Sequence, residues 1–268
     1  MKISEILRES FVLLRKEPKI FIPRLITTAL YSFVLLYTAQ LTTEMAKSAG
    51  YYPGNPTPDP AALASLMGGV FILLVSVIFL LIVDLFSYAM YPVMVRDYHK
   101  EGKIDLRKSF NEAFSAWKTI LALWLLIMLF SLGLGVILSV FEVLTLQSGN
   151  SIYYVASLLV ILSLVILLLI ALFFIMPVAV VEKRGLIDTF KQGFKMSMKN
   201  KGDVFFINVF FLVLTAVTLG IISLSQIYFS EGVAIIAGIL FILTRVFEAV
   251  IYTYISVVNP YFYMKVAK

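Results

Sequence analysis

Residues 152–181 read IYYVASLLVILSLVILLLIALFFIMPVAVV. No charged side chain interrupts them. A bilayer core about 30 Å thick is crossed by about 20 apolar residues of helix, and this run is longer than that. Backbone groups in lipid must be satisfied within the chain, so the run predicts a helix. It lacks the apolar–polar alternation of a membrane barrel strand.

Working outward, five more segments carry the same reading: about 20–42, 64–95, 119–146, 204–229 and 233–258. The composition agrees. Hydrophobic residues make up 61% of the 268 and charged residues 14%, against about 25% charged in a soluble domain. With no cysteine, disulfides and thiolate chemistry are excluded. One histidine, His99, sits in a basic, hydrated loop and reads as a surface residue; it cannot build a multi-histidine metal site. The N-terminus, polar on one face, does not read as a cleavable signal.

Lys and Arg set the orientation. Lys2, Arg8, Arg15, Lys16, Lys19 and Arg24 precede or open the first span. Arg96, Lys100, Lys103, Arg107, Lys108 and Lys118 follow the second. Lys183, Arg184, Lys191, Lys195, Lys199 and Lys201 follow the fourth, and Lys265 and Lys268 follow the sixth. Of the 22 Lys and Arg residues, only Lys47 falls in a loop on the opposite side, and Arg245 lies within a span. The expected protein is therefore a multi-pass protein of the cell membrane with both termini cytoplasmic. Its basic face meets anionic lipid headgroups rather than nucleic acid. One outer loop is long, about 43–63, and holds Pro53, Pro56, Pro58 and Pro60. It reads as an extended connector, with an external lid or partner contact as the alternative.

A repeat organises the chain. Pro92, Pro177 and Pro260 each fall where an even-numbered span reaches the basic side. Gly102-Lys103-Ile104-Asp105 and Gly185-Leu186-Ile187-Asp188 follow the first two, and each leads into an amphipathic segment. The N-terminus supplies a third. Apolar residues recur at helical spacing in each: Ile3, Leu7, Phe11 and Leu14; Leu106, Phe110, Phe114 and Trp117; Leu186, Phe190, Phe194 and Met198. Asp105 and Asp188 are placed as N-caps. The expected fold is all-α: one membrane domain over 1–268, with six transmembrane helices as three hairpins. A cytoplasmic interfacial amphipathic helix precedes each hairpin. The repeat units are about 1–95, 96–181 and 182–268, in pseudo-three-fold arrangement.

The segment Phe11, Arg15, Lys16, Pro18, followed by a span, resembles the membrane domain linked to some glycerophosphodiester phosphodiesterases and related prokaryotic multi-pass proteins. The resemblance carries over no catalytic residue, because the chain has no room for the soluble phosphodiesterase domain. The three-hairpin plan is similar to that of mitochondrial carriers in layout only. Their Pro-x-acid-x-x-base signature is missing after Pro92 and Pro177.

Few residues suggest chemistry. Asp84 in span two and Arg245 and Glu248 in span six are charges inside spans, which are functional candidates by default. Arg245 and Glu248, three apart, are placed to pair, and Asp84 is expected to reach them if the units close into a ring. That group reads either as an interhelical clasp or as a proton- or cation-coupled site, since two carboxylates against one guanidinium leave one free to titrate. Glu142 lies near the outer interface and reads as hydrated. Tyr88, Tyr91, Tyr98, Tyr252, Tyr254, Tyr261 and Tyr263 read as an aromatic belt or a vestibule. Gly68-Gly69 and Gly133-Leu134-Gly135 read as close helix packing rather than nucleotide loops. With no nucleophile elbow, phosphate loop or carboxylate pair of hydrolase spacing, no enzymatic activity, cofactor or metal is expected. Two functions remain open: lipid or partner binding at the cytoplasmic face, and a small transporter or channel.

Overall fold

The computed structural model describes residues 3–48, 60–149, 152–230 and 234–267. Residues 51–59, which carry most of the proline-rich loop, lie outside the described residues. The described chain forms ten α-helices and one short 3-10 turn, without strands. The helices are α1 (Ile3–Lys16), α2 (Ile22–Ser48), α3 (Pro60–Glu101), α4 (Leu106–Ser115), α5 (Trp117–Ser148), α6 (Ile152–Leu172), α7 (Ile175–Val181), α8 (Leu186–Lys199), α9 (Lys201–Ser230) and α10 (Ala234–Val266); the turn is Pro18–Phe21. Six stretches are long and apolar enough to cross a membrane: Pro18–Glu44, Met67–Glu101, Trp117–Ser148, Ile152–Val181, Lys201–Ser223 and Gly238–Val266. The chain is thus a multi-pass membrane protein. Helix α2 packs along α3, α5 along α6, and α9 along α10; α10 also lies against α1, α2 and α3.

The proline of the fourth span explains its break. Pro177 has no N–H to return to the carbonyl four residues earlier, and its ring crowds that carbonyl. The carbonyl belongs to Phe173, and the helix is interrupted there, at residues 173–174, between α6 and α7. The freed oxygen accepts 2.6 Å from Asn259 Nδ2 of α10. The Phe174 N–H donates to Ser197 Oγ of α8 at 3.4 Å. Membrane helices tolerate such breaks where neighbours satisfy the freed backbone. Pro92 and Pro260, in contrast, sit inside continuous helices.

The core gathers at one end of the bundle, where the three prolines and the short helices lie. Its largest fully buried side chains include Tyr91 and Met94 of α3, Phe174 at the break, Phe262 of α10, Ile6 and Leu13 of α1, and Ile207 of α9. Away from this end the spans present large apolar side chains outward, among them Phe71, Leu129, Val136, Leu159 and Ile242.

Helices α4 and α8 turn a face of small residues inward, while α1 buries Ser10 beside Ile6, Leu13 and Leu14. Ser10 of α1, Ser109 and Ala113 of α4, and Thr189, Gly193 and Ser197 of α8 are buried. Most large apolar residues one position over are left outside: Phe11 is 55% and Phe114 53% exposed, and Phe110 and Phe194 are exposed as well, whereas Phe190 packs partly against the core. Leu186, and Trp117 at the start of α5, are also exposed. In the α1 stripe only Phe11 is exposed: Leu14 is buried in the core, and Ile3 and Leu7 are half-buried against it. Asp105 caps α4 as expected, accepting from the Lys108 N–H at 3.0 Å. Asp188 does not cap α8. That helix begins one turn earlier, behind Gly185, and places Asp188 in its first turn, where an acid still complements the helix dipole.

At Gly193 the approach is closest. A Cβ there would meet Ile175 Cγ1 at 2.7 Å and the Ile175 Cα at 3.0 Å. Overpacking of this kind costs about 1–3 kcal/mol. Gly193→Leu is therefore expected to lower thermal stability in detergent, while Gly202→Ala, with nothing within 4 Å of its Cβ, leaves it unchanged or raised. Equal melting of both variants would refute the docking of α8 on the break. Gly69 is also a close approach, 2.6 Å from Leu41. Gly133 and Gly135 are not: nothing lies within 4 Å of either Cβ. The reading of that pair as close helix packing is corrected: Gly133 borders an open space between α5 and α6, and Gly135 lies on the outer surface of α5.

Candidate functional site

Four charged residues within spans, Arg24, Asp84, Arg245 and Glu248, lie on α2, α3 and α10, whereas Glu142 is exposed on α5. Arg24, Thr27, Thr28 and Tyr31 of α2, Leu80, Leu81 and Asp84 of α3, and Glu248 and Tyr252 of α10 line a cavity of about 330 Å³. Asp84 and Glu248 share it. Arg245 pairs with Glu248 at 2.7 Å, across one helical turn. Asp84, however, is ion-paired to Arg24 rather than to Arg245. Arg24 stands 5.7 Å from the Tyr252 ring centre, in cation–π position. The expected surplus carboxylate is absent: each acid has its own guanidinium.

Arg24 was hidden in the sequence because it reads as the last member of the basic N-terminal segment. The signal that distinguishes it is its place after Pro18 and Pro23, already inside an apolar run. Both guanidinium groups keep an Nε–H with no hydrogen-bond partner among the described residues. Among those residues no cluster of His, Asp or Glu is arranged to hold a metal ion.

A second polar network closes the core end. Arg96 of α3 grips Glu112 of α4 with two parallel bonds, at 3.0 and 2.8 Å. This is the fork geometry that strengthens such pairs. Arg96 also holds Asp97, a nearly fully buried acid that Lys108 reaches at 3.0 Å. Tyr261 and Tyr263 of α10 are more than a belt. Tyr261 donates to Glu9 of α1 at 2.5 Å, and Tyr263 donates to Glu182 at 2.6 Å. Tyr254 donates to the Leu7 carbonyl at 3.1 Å. The end of the sixth span is thus tied to the N-terminal helix. His99 is exposed, with its ring 4.7 Å from that of Tyr261.

The network depends on pH. The Tyr261 hydrogen bond holds the Glu9 carboxyl below its ordinary value of 4.5. The Arg96 hydrogen bonds do the same for Glu112. An acid whose folded pKa is depressed contributes its full stability above the ordinary value, and loses it as pH falls through that value and the folded one. Melting in detergent is expected to drop as pH falls below about 4.5, and to drop less for Glu112→Gln. A variant that follows the wild-type profile would exclude Glu112 from the effect.

No protein-family model, no curated protein and no solved structure matches the chain, so its reading rests on its own residues.

Proposed function

We propose that this chain is a non-enzymatic integral protein of the cell membrane, with both termini cytoplasmic, that binds membrane lipids at its cytoplasmic face. One observation carries the reading. Three short helices bury Ser10, Ser109, Ala113, Thr189, Gly193 and Ser197 in the protein and leave Phe11, Phe110, Phe114 and Phe194 exposed, with Trp117 exposed at the start of α5, beside the Lys and Arg of the same end. An aromatic stripe with basic residues alongside is the composition of a helix lying in the interface, with anionic headgroups as its partners.

The three-copy plan supports it. Ser10, Ser109 and Thr189, each followed by phenylalanine, are buried at matching places. Each short helix precedes one pair of packed spans. On this reading the units are three hairpins in pseudo-three-fold array, with no added cofactor or nucleic acid. The likeness to the phosphodiesterase-linked membrane domain, on Phe11, Arg15, Lys16 and Pro18, fits a chain of this type.

The test compares lipid retention in nanodiscs that hold a mixture of anionic and zwitterionic phospholipids. Near a membrane surface each Lys or Arg contributes about 1 kcal/mol of attraction. Lys191→Gln with Lys195→Gln, two exposed positions of α8, is expected to reduce retained anionic lipid by about tenfold or more. Unchanged retention would remove the basis of the proposal.

A second reading, a small proton- or cation-coupled transporter, draws on the Arg24/Asp84/Glu248 cavity. Ion-dependent flux in proteoliposomes that vanishes in Asp84→Asn would favour it. The pairing of every acid in that cavity with an arginine favours the clasp instead.

A further inference from the structure

The slot left open at Gly133 leads to a second cavity, unrelated to the charged one. Between α5 and α6 a wholly apolar space of about 590 Å³ runs past Gly133. It adjoins an inner cavity of about 440 Å³, and Leu126, Phe130, Leu134 and Leu168 line both. Each volume lies in the range of about 300–1,000 Å³ typical of small-molecule sites. The slot opens sideways, where Leu129, Phe130 and Leu167 are exposed.

The inner cavity is mainly apolar. Besides Ser131 of α5, its polar lining comes from Tyr88, Asn208 and Asn259, on three different spans. Asn259 is 6% exposed. Its Nδ2 is occupied by the Phe173 carbonyl, but its Oδ1 is buried without any partner among the described residues. A buried unsatisfied acceptor calls for a donor. No lining residue is charged, so a phosphate or carboxylate held there would be uncompensated. The depth is also defined. Asn208 lies seven residues beyond Lys201, about 10 Å at 1.5 Å per residue. That is just beneath the polar interface of a bilayer about 40–45 Å thick overall.

We infer that this cavity binds a neutral glycerolipid with a free hydroxyl, of the mono- or diacylglycerol class. The hydroxyl donates to Asn259 Oδ1, and an acyl chain lies in the slot between α5 and α6. In a membrane the material available at a sideways apolar opening is lipid, and the unpaired acceptor selects for a hydroxyl. The inference is independent of headgroup binding at the surface, and the two fail separately.

The experiment uses the full chain in phosphatidylcholine nanodiscs containing a trace of a diazirine- and alkyne-tagged diacylglycerol. Photolabelled peptides are mapped by mass spectrometry. Labelling is expected within residues 117–148 and 152–181. Unlabelled dioleoylglycerol should compete about tenfold better than its 3-acetyl ester, which has lost the donor. Gly133→Phe fills the slot where a Cβ meets nothing within 4 Å, and should reduce labelling at those sites by about tenfold. Asn259→Leu should abolish the preference for the free hydroxyl. Because Asn259 also caps Phe173, Gly133→Phe decides if that variant fails to fold. Labelling unaffected by Gly133→Phe, equal competition by the ester, or label spread evenly over all the spans would overturn the proposal. None of these outcomes bears on Lys191 and Lys195.

Discussion

Phe174→Ala is expected to destabilise the protein by about 3–5 kcal/mol, the range for removing a buried phenylalanine. Phe174 is fully buried and sits at the interruption of the fourth span. Its ring centre lies 4.9 Å from Phe173 and 5.1 Å from Phe262, both edge-on. Edge-to-face pairs add to the effect of burial. The site has little room to collapse, because the backbone on either side is held by Asn259 and Ser197. Leu129→Ala is the control. Leu129 is 66% exposed, and its loss should change stability by less than about 0.5 kcal/mol. Reversible unfolding in mixed micelles of increasing denaturing detergent measures both. Similar values for the two variants would mean that the core does not lie at the proline-bearing end.

The second large effect belongs to Arg24. Arg24→Leu leaves the Asp84 carboxylate without its guanidinium inside a span. A lone charge there costs about 2.5–3.5 kcal/mol on insertion scales, and breaking a buried pair is worse than removing it whole. The double variant Arg24→Leu with Asp84→Leu should therefore be more stable than Arg24→Leu alone. Asp84 keeps 43% of its side chain accessible along the cavity, so water relieves part of the penalty. Tyr252 loses its cation in either case. The same unfolding assay, run as a double-mutant cycle, gives the coupling. Additive effects would show that Arg24 and Asp84 do not act on one another, and the clasp would be lost.

The six spans were legible because each is a long apolar run, and length with hydropathy decides a membrane helix. The short helices were legible too, through spacings such as Leu106, Phe110 and Phe114, although Trp117, read as part of the same stripe, opens α5. Pairing was less so. Sequence spacing linked Arg245 to Glu248 because they share a helix. It could not link Arg24 to Asp84, 60 residues apart, whose partnership depends on how α2 leans on α3. The role of Asn259 was invisible for the same reason: the carbonyl it caps lies 86 residues earlier. Pro177 offered a hint, since a proline always frees a carbonyl, though not where the replacement donor would come from. Gly133 and Gly135 show the opposite limit. Small residues permit close packing without requiring it: Gly133 borders a slot and Gly135 lies on the outer surface of α5.

The reading of the basic end as lying in the lipid interface is open to one direct measurement, at the junction of α4 and α5. Trp117 and Trp124 are the only tryptophans. Trp124→Phe leaves Trp117 as the single reporter, exposed at the start of α5. In proteoliposomes its fluorescence should be quenched by lipids brominated near the headgroup, less by lipids brominated near the chain end, and little by aqueous iodide. Strong iodide quenching with no effect of either brominated lipid would place that face in water and contradict the account.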